Sequence, residues 1–150
     1  MLTTADRCTF SAGIEDLPVL KTTEAGFEGF LRDQYTSLPE TSDRIVATVI
    51  AATWDYDGEK LEFDRLYNGV VEEILRAFGD HYSRSVQATL YRMGEVVLAA
   101  HPEVSRIHFS LPNRHHLLYH LKRFGIENDN EIFHASSEPY GLIEATVERS

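Results

Sequence analysis

The stretch RIVATVIAATWDY, from Arg44 to Tyr56, decides how this chain folds. It is rich in β-branched and aromatic residues, a composition typical of a strand. One set of alternate positions runs from Val46 to Tyr56, and the intervening positions from Ile45 to Ala51 are apolar as well. Apolar residues on both faces indicate a strand that is covered on both sides. The segment therefore predicts a long, buried strand.

Two helices are predicted after this strand, one directly following the other. In the first, Leu66, Val70, Ile74 and Phe78 recur every four residues, which is the spacing of one buried helix face. Gly79 predicts the end of that helix.

The second helix is expected to begin with Ser83 or Ser85 as its N-cap and to stop at His101-Pro102. Its apolar face carries Leu90, Met93, Val97 and Leu98.

Shorter β patterns flank the helix pair. Upstream, residues 7–23 predict a strand, a turn and a second strand. Downstream, strands are expected at 107–111, continuing in the same period through 117–121, then around Phe133 and at 142–147. The order ββααββ predicts the α+β class, an antiparallel sheet with two consecutive helices packed on one face.

The length is that of one domain, spanning residues 1–150. Because helices on one side leave the second apolar face of the 44–56 strand without a cover, the pattern also predicts that the chain oligomerises.

The charge balance limits the possible partners. Fourteen Lys and Arg residues against 24 Asp and Glu residues give a net charge of −10. This field repels phosphate backbones and anionic lipid surfaces, so neither nucleic acid nor membrane is an expected partner. An anionic ligand would need a local cation. The single cysteine, Cys8, cannot form an internal disulfide, so the cytoplasm is the expected location.

Histidines form the densest group of titratable residues, at His115, His116 and His120. Three imidazoles could bind zinc, but in a strand His115 and His116 point to opposite sides while His116 and His120 share one. The spacing favours surface or interface histidines, and no metal is predicted. The remaining four are scattered and indicate no site by themselves: His81, His101, His108 and His134.

Five segments together resemble the urate oxidase (uricase) family. They are FEGFLRDQYT at 27–36, TSDRI at 41–45, SVQAT at 85–89, SLPNRH at 110–115 and GLI at 141–143. Their order and spacing are similar to the C-terminal half of that family over essentially the whole chain. The resemblance implies the tunnelling fold, whose antiparallel sheet and helix pair agree with the predicted order.

The resemblance also implies a substrate clamp. Phe27 matches the aromatic residue that stacks on the purine ring, and Arg44 matches the guanidinium that holds urate through two parallel hydrogen bonds. Val86 and Gln87 match the pair at a helix start whose backbone amide and side-chain amide bind the opposite edge of the purine.

Two further positions match the family's reacting groups. Asn113 matches the residue that holds dioxygen or water above the ring, and His115 matches the histidine of the proton relay. Since they lie two residues apart, an extended segment would project both side chains to the same side.

The family's lysine and threonine dyad belongs to the N-terminal half, which these residues do not match. The resemblance implies that a separate or cleaved N-terminal half supplies the dyad, and that paired halves form a homo-oligomer, expected to be a tetramer. The implied reaction is the oxidation of urate by dioxygen to 5-hydroxyisourate and hydrogen peroxide, with no metal or flavin cofactor.

Two other functions stay open at this point. The chain could be a non-catalytic purine-binding or assembly module that kept the pocket and lost turnover. It could also be a zinc-dependent pterin enzyme of the same fold that uses His115, His116 and His120.

Overall fold

The computed structural model describes residues 9–58 and 60–149, in which a four-stranded sheet carries two helices. The elements are β1 (Phe10–Lys21), β2 (Val46–Tyr56), α1 (Phe63–Gly79), α2 (Val86–Ala100), β3 (Val104–Pro112), β4 (His115–Leu118), a 3₁₀ turn (Lys122–Phe124), β5 (Phe133–Ser136) and β6 (Leu142–Glu148). The α+β prediction is confirmed, because the main sheet with its helix pair has the order ββααββ. The β4–β5 hairpin is inserted before the last strand.

The main sheet is antiparallel throughout, with strand order β1-β2-β3-β6. Strand β2 lies at its centre, pairing with β1 from Lys21↔Val46 to Phe10↔Tyr56 and with β3 from Ala51↔Ser110 to Tyr56↔Val104. Strands β1 and β6 form the two edges. The segment from Arg44 to Tyr56 therefore contains the central strand of the sheet.

The core lies between the sheet and the helices. Alternate β2 side chains from Val46 to Tyr56 are buried against α1 and α2, and Trp54 and Ile50 are among the largest fully buried side chains. The predicted helix face of α1 is confirmed, since Leu66, Val70 and Ile74 are fully buried. Each such side chain contributes about 1.5–3 kcal/mol of hydrophobic free energy.

Helix α2 begins at the second of its two candidate caps. Ser85 has extended backbone angles, and its Oγ accepts a hydrogen bond from the backbone N–H of Ala88 at 3.1 Å. This bond satisfies one of the helix's orphan donors, as an N-cap serine does. The helix ends at Ala100, with His101 as its C-cap, as the His101-Pro102 pair predicts.

The prediction of two strands within residues 7–23 was wrong. Residues Phe10–Lys21 form one strand, whose register shifts between Ile14 and Leu17. Asp16 lies in the left-handed region with φ 53°, so a bulge absorbs what looked like a turn. Cys8, at the start of the predicted strand, lies outside the described residues.

The prediction that the strand after Pro112 continues through Leu121 was also wrong. Strand β4 ends at Leu118, and the chain then enters the 3₁₀ turn that begins at Lys122. Backbone N–H of Tyr119 still donates to the carbonyl of Ile132 at 2.9 Å, but β5 itself pairs only with His115–Leu118. His120 therefore does not share a strand face with His116.

The face of the sheet away from the helices is apolar at one end. Ala47 is buried there, while Val49 and Ala51 are half-buried, and Leu20 and Leu142 are exposed beside them. The second apolar face predicted from the sequence is thus present, but nothing within the described residues covers it fully. No helix among residues 9–58 and 60–149 is long and apolar enough to cross a membrane.

Candidate active site

A short extended segment, residues 25–28, is held between two other parts of the chain. Backbone N–H of Gly26 donates to the carbonyl of Ser83 at 2.7 Å, and that of Phe27 donates to the carbonyl of Thr41 at 2.7 Å. On the same side, N–H of Arg44 donates to the carbonyl of Ala25 at 2.9 Å. These bonds bring Phe27 and Arg44 together at the start of α2.

Gly26 has a steric reason to be glycine. A Cβ built there would overlap the hydroxyl of Tyr82 and would lie 2.7 Å from the carbonyl oxygen of Thr41. Any larger residue would force the three segments apart, and with them the side chains that they carry.

Arg44 and Phe27 form a close pair. The Arg44 guanidinium lies 5.2 Å from the centre of the Phe27 ring, within range of a cation–π interaction, and its Nε donates to the carbonyl of Gly26 at 2.6 Å. Its Nη2 is buried and has no hydrogen-bond partner among the described residues. The ring of Phe30 also stacks on Phe27, with the two ring centres 4.4 Å apart.

Burial lowers the pKa of Arg44 from its ordinary value, although the nearby Tyr82 opposes this shift. A guanidinium nevertheless keeps its charge in a protein at neutral pH. Arg44 therefore offers a positively charged, partly desolvated donor whose Nη2 has no partner in residues 9–58 and 60–149. This is the local cation that an anionic ligand would need.

Val86 and Gln87 form the first turn of α2, next to this pair. The side chain of Val86 is buried and that of Gln87 is exposed. Because the first N–H groups of a helix have no partner within it, this end offers donors and the positive end of the helix dipole. We call Phe27, Arg44, Val86 and Gln87 the clamp corner.

Asn113 and His115 lie at a second position, which we call the relay corner. Their side chains are 3.5 Å apart, between Asn113 Nδ2 and His115 Nδ1, so the predicted same-side projection is confirmed. A backbone bridge joins Asn113 to Thr48, and the N–H of Arg114 donates to the carbonyl of Ala47 at 3.0 Å. The relay corner is thereby attached to β2.

The loop before β6 holds the relay corner from the other side. Backbone N–H of Asn113 donates to the carbonyl of Gly141 at 2.8 Å, and His115 Nε2 lies 2.8 Å from the carbonyl of Pro139. A carbonyl can only accept, so Nε2 carries the proton and donates. The lone pair of a neutral His115 is then on Nδ1, which faces Asn113.

The two corners lie at the same end of β2. Arg44 precedes the strand by two residues, and the relay corner is attached at Ala47 and Thr48. Three to four residues of extended chain separate these points by about 10–13 Å. Six predicted residues thus fall into two groups that flank one end of the central strand.

The clefts in the protein surface coincide only partly with the six predicted residues. A cleft of about 300 Å³ beside Arg44 is also lined by Asp43, Asn130 and Phe133. A larger cleft, of about 720 Å³, lies between α2 and β6 and is lined by none of the six residues. Neither of these two clefts encloses the clamp corner and the relay corner together.

The histidine cluster does not converge. His116 Nδ1 lies 3.1 Å from the carbonyl of Arg114, whereas His115 is engaged with Pro139 and His120 lies beyond the end of β4. Across residues 9–58 and 60–149, no three His, Cys, Asp or Glu side chains are grouped so that they could hold a metal ion.

The sequence missed a buried polar group behind the clamp corner. His81, judged to be a scattered histidine, has its Nε2 3.2 Å from Thr89 Oγ1, and Thr89 Oγ1 lies 2.7 Å from Ser83 Oγ. Ser83 is 1% exposed and Thr89 2% exposed. The only signal available was Thr89, a hydroxyl placed on the apolar face of a helix.

The uricase family model matches residues 10–144. The chain belongs to the uricase family. The uricase of Arthrobacter globiformis is 50% identical over 138 residues, covering 92% of this chain and 46% of that protein. The uricase of Dictyostelium discoideum is 43% identical over 139 residues, covering 93% of this chain and 48% of that protein.

Solved uricases have the same fold. The crystal structure of the Arthrobacter globiformis enzyme is 48% identical, with a TM-score of 0.90, and it covers 96% of this chain and 50% of that chain. Urate oxidase from Bacillus sp. TB-90 has a TM-score of 0.75 at 22% identity, which is evidence for the fold alone. The chain spans about half the length of the relatives that it matches, so the uricase resemblance is confirmed for a half-length unit.

Proposed function

We propose that this chain is the substrate-holding half of a urate oxidase. The observation that carries the proposal is the Phe27–Arg44 pair, with its ring-to-guanidinium distance of 5.2 Å and its buried Nη2 that has no partner in the described chain. An aromatic face beside an unpaired guanidinium N–H suits a flat, anionic, hydrogen-bonding ring. Urate has these properties.

The clamp corner would bind urate from three sides. Phe27 would stack on the ring, Arg44 would donate two parallel hydrogen bonds to one edge, and Gln87 with the N–H of Val86 would bind the opposite edge. Arg44 is central because the chain as a whole carries a charge of −10 and repels anions.

The relay corner would act above the ring. Asn113 Nδ2 would orient dioxygen and then water, and His115 Nδ1 would take a proton from that water as it attacks. The overall reaction balances as urate, dioxygen and water giving 5-hydroxyisourate and hydrogen peroxide. Two electrons and two protons pass to dioxygen, and the oxygen of water becomes the new hydroxyl group.

A second half would supply the group that deprotonates urate. The relatives are about twice the length of this chain, and the lysine and threonine expected for this step match no segment here. The outer edges of β1 and β6 pair with no other strand among the described residues. We propose that the partner half and further copies cover these edges and the open sheet face, giving a tetramer of paired halves in the cytoplasm.

The test is urate consumption by the native assembly and, in parallel, by this chain alone. We expect the assembly to remove urate absorbance in air without added cofactor, forming one hydrogen peroxide per urate, while the chain alone is inactive. An assembly that leaves urate untouched overturns the proposal. If that assembly still binds urate, the chain is a non-catalytic purine-binding module.

A further inference from the structure

We infer that Thr89, with Ser83 and His81, forms a buried positioning network that holds Arg44 for urate. This inference rests on the proposed function. None of the three side chains belongs to the clamp or relay corner, so they would act on the substrate only through other residues.

The network is a series of hydrogen bonds, joined through the backbones of Ser83 and Gly26, that ends on the Arg44 guanidinium. His81 Nε2 lies 3.2 Å from Thr89 Oγ1, which lies 2.7 Å from Ser83 Oγ. The carbonyl of Ser83 accepts from the N–H of Gly26 at 2.7 Å, and the carbonyl of Gly26 accepts from Arg44 Nε at 2.6 Å.

Each group in this series has a fixed role. His81 Nδ1 lies 2.5 Å from the carbonyl of Ala77, so Nδ1 carries the proton and Nε2 accepts from the Thr89 hydroxyl. Thr89 Oγ1 can then accept from Ser83, since each hydroxyl has a single proton to donate. The directions of the hydrogen bonds are therefore set by the histidine.

The same network holds the first turn of α2. The backbone N–H of Thr89 donates to the carbonyl of Ser85 at 3.1 Å. Ser83 Oγ lies 3.3 Å from the same carbonyl, but its one proton is given to Thr89 Oγ1 at the shorter distance of 2.7 Å. Val86 and Gln87 lie between these points. Thr89 thus connects to the Gly26 side through its hydroxyl and Ser83, and to the first turn of α2 through its backbone N–H.

Lys21, at the end of β1, connects the network to the sheet by hydrogen bonds. Its Nζ donates to the carbonyls of Gly79 and His81, at the end of α1, and the residue is only 8% exposed. The last residue of β1, the end of α1 and the start of α2 are joined in this way. A lysine among helix C-terminal carbonyls is also favoured by the helix dipole.

The test compares Thr89→Val with Thr89→Ser in the native assembly. Valine keeps the shape and removes the hydroxyl, whereas serine keeps the hydroxyl and removes a methyl group. Thr89→Val removes both hydrogen bonds of the hydroxyl, to His81 and to Ser83. We expect it to weaken anaerobic urate binding about tenfold and to raise KM with kcat within about twofold of wild type. Thr89→Ser should bind within about twofold of wild type.

Ile74→Val is the control for a merely structural effect, since Ile74 is fully buried in α1 and its apolar side chain forms none of the network's hydrogen bonds. It should lower thermal stability without changing the urate KM. If wild type binds urate and the Thr89→Val variant binds it equally well, the positioning role is overturned but the proposed function is not. Wild type that binds no urate overturns the proposed function, and this role with it.

If Thr89→Val fails to fold, Ser83→Ala provides the second variant. It removes the other hydroxyl of the pair without adding bulk, and it should also raise KM rather than lower kcat. A Ser83→Ala variant with unchanged KM contradicts the network.

Discussion

The clamp corner and the relay corner lie at the same end of the central strand, but they are held in different ways. Arg44 is positioned by its own buried neighbours, and the hydroxyls behind it are almost fully inaccessible. Asn113 and His115 are only half-buried and are held through carbonyls of the loop that precedes β6. The comparison teaches that the clamp corner is backed by buried hydroxyl groups within the fold, whereas the relay corner depends on the loop before β6.

The largest effect is expected from Arg44→Ala, which breaks the clamp corner. Removing the charged donor should lower kcat/KM for urate about a thousandfold, because a charge-assisted, two-bond contact is lost and the carbonyl of Gly26 loses its partner. Arg106→Ala is the matched control, since Arg106 pairs with Asp55 on the exposed sheet surface. The measurement is steady-state urate kinetics of both variants. An equal loss of kcat/KM in the two would exclude a special role for Arg44.

His115→Gln breaks the relay corner instead. We expect kcat to fall about a hundredfold with KM changed only a few-fold, because proton transfer is lost while the clamp remains intact. His108→Gln, which alters a histidine bonded to Thr146 elsewhere on the sheet, should leave kcat unchanged. A rise in KM with unchanged kcat in His115→Gln would place His115 in the clamp and erase the distinction between the corners.

Gly94→Ala tests the support of the clamp corner at the other end of α2. A Cβ at Gly94 would overlap the side chain of Val147 on β6, with its Cβ only 2.7 Å away. We expect a loss of about 1–3 kcal/mol in the free energy of unfolding from overpacking, although alanine is the better helix former. In Gly79→Ala the new Cβ meets nothing within 4 Å, so that variant should be nearly neutral. Urea unfolding midpoints measure both effects. Equal midpoints in the two variants would contradict the tight contact between α2 and β6.

The smallest effect concerns pH. Burial lowers the pKa of His81, and the nearby positive charges of Lys21 and Arg92 lower it further, while its bond to the carbonyl of Ala77 opposes the shift. The unfolded chain therefore binds a proton more readily than the folded chain once the pH falls below about 6.5. The free energy of unfolding should decline from pH 7 to pH 5, and His81→Gln should flatten that decline. An equally steep decline in the variant would assign it to other groups.

The sequence predicted the parts of the fold that depend on local pattern. The four-residue spacing from Leu66 to Phe78 located α1, and the two candidate caps, Ser83 and Ser85, located the start of α2 to within two residues. It failed at Asp16, because a bulge within one strand and a turn between two strands have the same local signature of acidic residues beside apolar ones.

The candidate site divides in the same way. Asn113 and His115 are two residues apart, so their proximity followed from strand geometry. The contacts of Lys21 with the end of α1 join residues about 60 positions apart, and no local pattern reports them. His81 gave no signal for the same reason: its partner Thr89 lies on the next helix, and only the packing of the two helices brings them together.

A crystal structure of the native assembly with urate, prepared without oxygen, tests the central claim most directly. The account predicts one urate stacked on Phe27, with both Arg44 Nη groups on one edge, Gln87 on the other, and Asn113 and His115 above the ring. Urate bound at any other place, or bound by the clamp corner with the relay corner turned away from the ring, would contradict it.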